Sequence, residues 1–338
     1  LYLTRFLCGA AALVFAAPAL ADHTGPTGVG SSGGGIDVLG PDTLEAGRLA
    51  LGQQTTVTLP QDRSDAELEA LAAQHIHAHN SDYTLGAAVG AAYGVTDRLT
   101  ISVQVPYIRR DGLREGEHSH SGGVTTNEVF PLGSVSGFGD MSLLAKYSLA
   151  GGALALIGGI KMPTGGTHSH ALSGERLETE HQPGTGSWDP IAGAALGVPL
   201  GWAKLDASVL YQLARTGAQA TRLGDRLQAG AALSHRFGPG EHHHDEESKG
   251  RHEHQEHHHP SWDLFTSATI EWEGRQTIAG AVEAQSGGTA LWLTPGVRYN
   301  SAAEIALAAA VGVPLWQDVR PSHPENRVRL IVSLGKAF

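Results

Sequence analysis

Cysteine is almost missing from this chain, methionine is scarce and charge is thin: one Cys, two Met and 17% charged residues in 338. The single thiol, Cys8, sits in the N-terminal apolar segment, so neither a disulfide framework nor a thiolate metal site can hold the fold. Long apolar runs are missing too. After residue 21 nothing approaches the ~20 consecutive apolar residues of a membrane helix, and 41% hydrophobic content is too low for a helical membrane protein. A basic excess is absent. The formal charge of -11 argues against nucleic acid as a partner and favours cations.

What the chain does have is short segments of alternating polarity, spread too evenly for a disordered polypeptide. In 140–149, Met141, Leu143, Ala145, Tyr147 and Leu149 fall on one side. Asp140, Ser142, Lys146 and Ser148 fall on the other, with Leu144 breaking the polar row. Period two is the mark of a strand with one greasy and one wet face. Ala150-Gly151-Gly152 turns the chain, and 153–162 returns as a second strand.

The unit recurs. Strands are predicted at 46–59, 83–95, 98–109, 140–149, 153–162, 188–198, 202–213, 225–237, 262–272, 289–299, 304–313 and 327–338. Each approaches the ~9–11 residues that cross a bilayer at a tilt. Short turns alternate with long loops at 60–81, 111–136, 164–187, 215–222, 274–288 and 315–326, and 64–74 carries a capping-box pattern (Ser64, Glu67) for a short helix. The fold class that follows is all-β: an antiparallel up-and-down transmembrane barrel of about twelve strands, closed because lipid tolerates no open sheet edge. A soluble β-sandwich is the competing reading. Aromatics near strand ends (Tyr107, Tyr147, Tyr211, Trp262, Trp272, Tyr299) weigh against it.

Residues 1–21 read as a Sec signal peptide, with Arg5, an apolar core and Ala19-Leu20-Ala21 before Asp22. Residues 22–44 read as a flexible Gly/Ser-rich lead-in, and 45–338 as the barrel, with a His-rich insertion at 238–260. The location implied is the outer membrane of a Gram-negative bacterium, with the lipid bilayer as the obligatory partner. Nothing in the pattern sets an oligomeric state.

The runs GFGDMSLLAKY, KMPTGG and PGTGSWDP, followed by SGGTALWLTPGVRY, VPLWQ and Phe338, resemble the bacterial outer-membrane family of MetA-pathway phenol-degradation proteins. Members are often called transporters. The resemblance spans roughly residues 45–338 apart from the His-rich insertion, and it implies a barrel and a transport role. It supplies no catalytic residue and no defined solute.

Histidine is the chemistry that stands out. The tract 241–259 carries His242, His243, His244, His252, His254, His257, His258 and His259 among six carboxylates. Imidazole and carboxylate suit Zn²⁺, Cu²⁺, Ni²⁺ or Co²⁺, here as several weak and poorly selective sites. Strand parity hangs this tract on the periplasmic side. Outer loops repeat the bias with His75, His77 and His79, His118 and His120, and His168, His170 and His181. An extended H-x-H pair puts both rings on one side. His23, His235 and His323 read as structural or incidental.

Inward polar residues (Gln104, Lys146, Lys161, Asp206, Arg226, Arg236, Glu271, Arg298, Arg329) would line the lumen, and their mixed signs favour cross-barrel pairing in a narrow bore. The function read from these features is a channel or transporter for small solutes with metal-binding loops. The alternatives are a non-transporting structural barrel and a barrel hydrolase. His118/Ser119 and His168/Ser169 lack a visible orienting framework, so no reaction is assigned.

Overall fold

A computed structural model describes residues 34–121, 124–238 and 260–338. The segment 1–21 read as a signal peptide, the first part of the lead-in and the histidines of the tract lie outside the described residues.

Twelve antiparallel strands form one ring. They are β1 (Leu49–Pro60), β2 (Tyr83–Thr96), β3 (Leu99–Ser121), β4 (Ser142–Leu149), β5 (Leu154–Lys161) and β6 (Asp189–Pro199). The second half comprises β7 (Lys204–Gln212), β8 (Arg226–Phe237), β9 (Ser261–Glu273), β10 (Gly288–Asn300), β11 (Ile305–Val319) and β12 (Asn326–Ala337). Each pairs with its successor, and β1 pairs with β12 from Ala50↔Ala337 to Thr58↔Arg329, which closes the ring. Closure leaves the ladder without an edge, the condition for a sheet in hydrocarbon. Among the described residues no helix is long and apolar enough to cross a membrane; the strands do so instead.

β9 shows why these residues make this wall. Trp262, Leu264 and Ile270 stand exposed on its outer face, while Ser261, Asp263, Phe265, Ser267 and Thr269 are buried on the inner one. Leu51, Val89, Leu143, Leu156, Val209, Leu307 and Val332 continue the apolar belt round the ring. Exposed Tyr93, Tyr147, Trp202, Trp262 and Phe338 edge it at the short-turn end, and Phe138, Trp188, Tyr211 and Trp316 at the long-loop end. Two aromatic girdles of this kind sit at the two membrane–water interfaces. In such barrels short turns face the periplasm and long loops the exterior. The tract's flanks stand at the short-turn end, where a Cβ on Gly238 would lie 3.1 Å from the Pro260 carbonyl.

Two segments differ from their sequence reading. The region 111–136, expected as a loop, is mostly strand: β3 runs on to Ser121, and Val124–Phe138 returns along it from Ser121↔Val124 to Tyr107↔Phe138. This arm lacks a continuous lipid-facing row, so no apolar alternation announces it. Helix α1 (Asp65–Ala72) lies against it, capped by Ser64 and Glu67 in a capping box, with Leu68 buried over Gly116. The second difference concerns the lead-in. Expected to be flexible over 22–44, its described residues 34–44 are seated inside the barrel. Ile36, Val38 and Leu39 are buried there, because the inner wall offers both apolar pockets and hydrogen-bonding side chains.

Candidate functional site

The inserted segment is held by side chains of the wall rather than by strand pairing. From the short-turn end inward, Ala46 N donates to Asp97 Oδ1 (2.9 Å) and Leu44 N to Thr100 Oγ1 (2.8 Å). Lys204 Nζ meets Asp42 Oδ2 at 2.6 Å, and Lys146 Nζ donates to the Gly40 carbonyl at 3.1 Å. Leu39 N donates to Ser208 Oγ (3.1 Å) and Gln228 Nε2 to the Asp37 carbonyl (3.1 Å). Ser267 and Thr269 hydroxyls donate to the Asp37 carboxylate. The chain then doubles back, and Arg298 donates to the Gly34 carbonyl at 3.1 Å. Leu39 packs with Leu144, Ile157, Ile191 and Leu210 on one wall, and Ile36 with Phe265, Ala308 and Ile331 on the other. A Cβ on Gly35 would lie 2.9 Å from Ser267 Cβ, so only glycine fits this seat without displacement.

Beyond the segment, toward the long-loop end, three sequence motifs converge. Lys161 from KMPTG lies 2.7 Å from Asp140 of GFGDMS and 3.0 Å from Asp189 of SWDP, all three buried. Asp140 also accepts from Gly165 N (2.9 Å) and Thr185 N (2.9 Å). Gly165 and Gly184 touch backbone to backbone; a Cβ on Gly184 would sit 2.6 Å from Gly165 Cα. This latch borders a cavity of about 50 Å³ whose wall mixes Gln104, Gln212, Thr185 and Arg226 with Pro106, Ile108, Pro183 and Leu223. Its polar groups can hold a hydroxyl and its apolar ones a small hydrocarbon face.

The remaining inward residues pair among themselves. Arg329 and Glu271 form a bidentate pair, 2.8 Å at each contact, between strands that are not neighbours. Arg329 also lies 4.0 Å over the Trp292 ring. Asp206 is 3.2 Å from Lys204, Arg226 is 3.4 Å from Glu273, and Asp263 is shared by Arg236 (2.7 Å) and Arg298 (3.6 Å).

At the long-loop end, outside the membrane-spanning strands, the structure gathers His79, Glu180, His181 and His323. His79 lies in a short strand paired to β3, its amide donating to the Ser322 carbonyl at 3.0 Å. His181 closes a 3₁₀ turn that Arg110 clamps by donating to the His181 carbonyl at 2.9 Å. The neighbouring buried Gln182 ties the same loop to the Leu177 and Ser169 carbonyls. Glu180 Oε1 stands 3.6 Å from both His79 Nδ1 and His181 Nε2, and His323 Nδ1 is 3.1 Å from His79 Nε2. Burial and the Arg110 guanidinium push His181 down to about 3. Burial, with His323 and His181 adding like charge, holds His79 well below the usual imidazole range. Burial and the Glu115 carboxylate push Glu180 up to about 7.

Other histidines scatter. His75 packs edge-on against His118 at 4.1 Å, His118 Nδ1 meets Asn127 Oδ1 at 2.7 Å, and His77 lies 3.7 Å from Glu115. His168 is beside Thr167, His170 bridges to Arg176, and His120 pairs with Thr125 along the arm. One ring contact, His75 with His118, thus joins two of the H-x-H motifs. His75 has a left-handed backbone (φ 59°), which breaks the extended geometry the spacing assumed. His323, read as structural or incidental, packs against His79 in the cluster. Glu180 was missed, and a carboxylate beside His181 was the available signal.

A family model described as MetA-pathway of phenol degradation matches residues 46–257. The chain belongs to that family. The match takes in the latch motifs and stops before the closing strands. An outer membrane channel from Pseudomonas putida F1 is similar in structure, with a TM-score of 0.52 at 18% identity, over 88% of this chain and 97% of that one. That likeness is one of fold. The β-domain of the Bordetella autotransporter BrkA (0.44, 9% identity, 87% and 100% covered) and the P. putida toluene transporter TodX (0.40, 10%, 88% and 91%) are more distant and carry no argument here. No curated protein matches the chain in sequence. The protein is an outer-membrane β-barrel whose partner is the lipid bilayer.

Proposed function

We propose that the barrel is a channel for small solutes whose bore is governed by the inserted segment 34–46. The observation that carries this reading is the manner of attachment. The segment occupies the lumen through side-chain hydrogen bonds and two small apolar contacts, so it can leave without breaking any strand ladder. A purely structural plug would gain more from joining the sheet. The mixed polar and apolar cavity beside Lys161 suits small solutes with one polar group, and the family's description directs attention to the phenol class. Export through the Sec pathway, with cleavage before Asp22, belongs to the same reading.

The test is solute entry into liposomes carrying the purified barrel, with phenol, a monosaccharide and an amino acid as separate arms. Selective entry of phenol supports the finer assignment, and equal entry of all three supports a general small-solute channel. A barrel that passes none of them, even after removal of residues 34–46, overturns the reading. We also propose that the histidine tract 242–259 takes divalent transition metal. Zn²⁺ titration of the whole protein against a form lacking 241–259 checks it, and equal stoichiometry would remove the tract's role.

A further inference from the structure

We propose that His79 Nδ1, His181 Nε2 and Glu180 Oε1 form a built site for one divalent transition-metal ion, and that the ion ties the β1–β2 loop to the β5–β6 loop at the outer mouth. The ion-binding half stands by itself; the mouth-closing half rests on the channel reading.

The geometry is that of a tridentate set. Metal–ligand bonds of roughly 2.0–2.1 Å in a tetrahedron place neighbouring ligand atoms about 3.4 Å apart. Glu180 Oε1 is 3.6 Å from each imidazole nitrogen, and all three donor atoms lie within 4.8 Å of one another. The cavity they border has a volume of about 20 Å³, above the ~10–15 Å³ that a single water-sized occupant needs. Two imidazoles and a carboxylate, without sulfur, suit Zn²⁺, Co²⁺, Ni²⁺ or Cu²⁺ and leave a fourth position for water.

The surrounding groups orient these donors. Gln276 Nε2 donates to Glu180 Oε2 at 2.8 Å and so leaves Oε1 for the ion. With His79 Nδ1 on the metal, its proton resides on Nε2, which faces His323 Nδ1 at 3.1 Å and donates to it. Such second partners fix the tautomer and ring of a ligating histidine. A plain buried histidine cluster explains less. His181 Nε2 is buried, makes no hydrogen bond and borders the cavity, and a partnerless buried nitrogen in a native fold calls for an occupant.

The ligands and the groups that orient them come from loops that the ring holds apart. His181 is on the β5–β6 loop and His323 on the β11–β12 loop, six strands away in either direction round the twelve. His79 comes from the β1–β2 loop and Gln276 from the β9–β10 loop. An ion at this point therefore bonds the β1–β2 and β5–β6 loops directly, and its ligands are braced by His323 and Gln276 from two more.

The experiment uses the full chain with the eight tract histidines changed to glutamine, so that one site is read at a time. Zn²⁺ titration should show one tight equivalent. His181→Ala should abolish it, Glu180→Gln should weaken it more than Gln276→Ala, and Gln276→Ala should weaken it about 10- to 100-fold. Zn²⁺ should also slow thiol labelling of a cysteine placed at Leu223 in the cavity wall and lower bilayer conductance. Absence of the equivalent, or its survival in both His181→Ala and Glu180→Gln, overturns the site. Binding that leaves labelling and conductance unchanged overturns the closure. A barrel that binds Zn²⁺ and slows labelling but never conducts sinks the channel reading and leaves the site standing.

Discussion

Gly35→Val should turn an occluded barrel into one that conducts far more often. At Gly35 the wall leaves no room for a side chain: a Cβ would meet Ser267 Cβ at 2.9 Å, Ser267 Oγ at 3.0 Å and Ala232 Cβ at 3.1 Å. Those neighbours belong to paired strands β8 and β9 and cannot retreat, so the segment must move. Overpacking of this sort costs about 1–3 kcal/mol. The segment's own hold is modest, because its hydrogen bonds and the burial of Ile36, Val38 and Leu39 stand against a backbone ordering cost of about 1–2 kcal/mol per residue. A penalty of 1–3 kcal/mol then raises the displaced fraction roughly 5- to 150-fold. Single-channel recording in planar bilayers reads this as open probability. The matched control is Gly158→Val, at an outward position with nothing within 4 Å. Labelling of Leu39→Cys by a thiol reagent should accelerate by the same factor. Open probability within twofold of the control, despite faster labelling, would show that the segment is not the barrier.

Three further outcomes follow from the same contacts. Lys161→Met leaves Asp140 and Asp189 facing each other without their cation, and should lower stability in detergent by about 3–5 kcal/mol in urea unfolding. Ser64→Ala removes the cap of α1 and should speed amide exchange in 65–72 by the equivalent of about 1 kcal/mol, with barrel exchange unchanged. The third concerns pH. His181, lowered to about 3, gives stability that is full above 6.5 and lost as pH falls, about 2 kcal/mol by pH 5. Glu180, raised to about 7, acts oppositely: its contribution is full below 4.5 and lost as pH rises through 7. The opening free energy of 164–187, from exchange corrected for the intrinsic pH dependence of amide exchange, should thus vary little between pH 7 and 5, whereas in Glu180→Gln it should fall over that range by about 2 kcal/mol.

The strand pattern was legible because lipid and water impose opposite demands on alternate residues, and nothing in the wall escapes that rule for long. Its exceptions carried information. Leu144 interrupts a polar row, and the structure places it against Leu39 of the inserted segment. Phe265 is an inward aromatic among serines and threonines, and it packs against Ile36. A lumen described only as wet gives no reason for either. The segment itself was hidden by composition: Gly, Ser and Pro signal looseness, yet Ile36, Val38 and Leu39 need only a preformed cavity. The outer cluster was less legible still. His79, His181 and His323 lie in three different loops, and only the ring's topology brings them together. Local spacing pointed instead to H-x-H pairs, which the turn at His75 and the separate neighbours of His77 and His79 disperse.

The doubled-back course of residues 34–46 has a mechanical consequence. Gly34, bonded to Arg298, and Ala46, bonded to Asp97, both point toward the same end of the cylinder, with Asp37 at the apex. A force applied from the periplasm to the N-terminal limb would unzip these bonds in sequence, Gly34 first and Asp37 next, rather than shear them all at once. Peeling needs little force and the cork never has to traverse the pipe, so it can be drawn and reseated from one side.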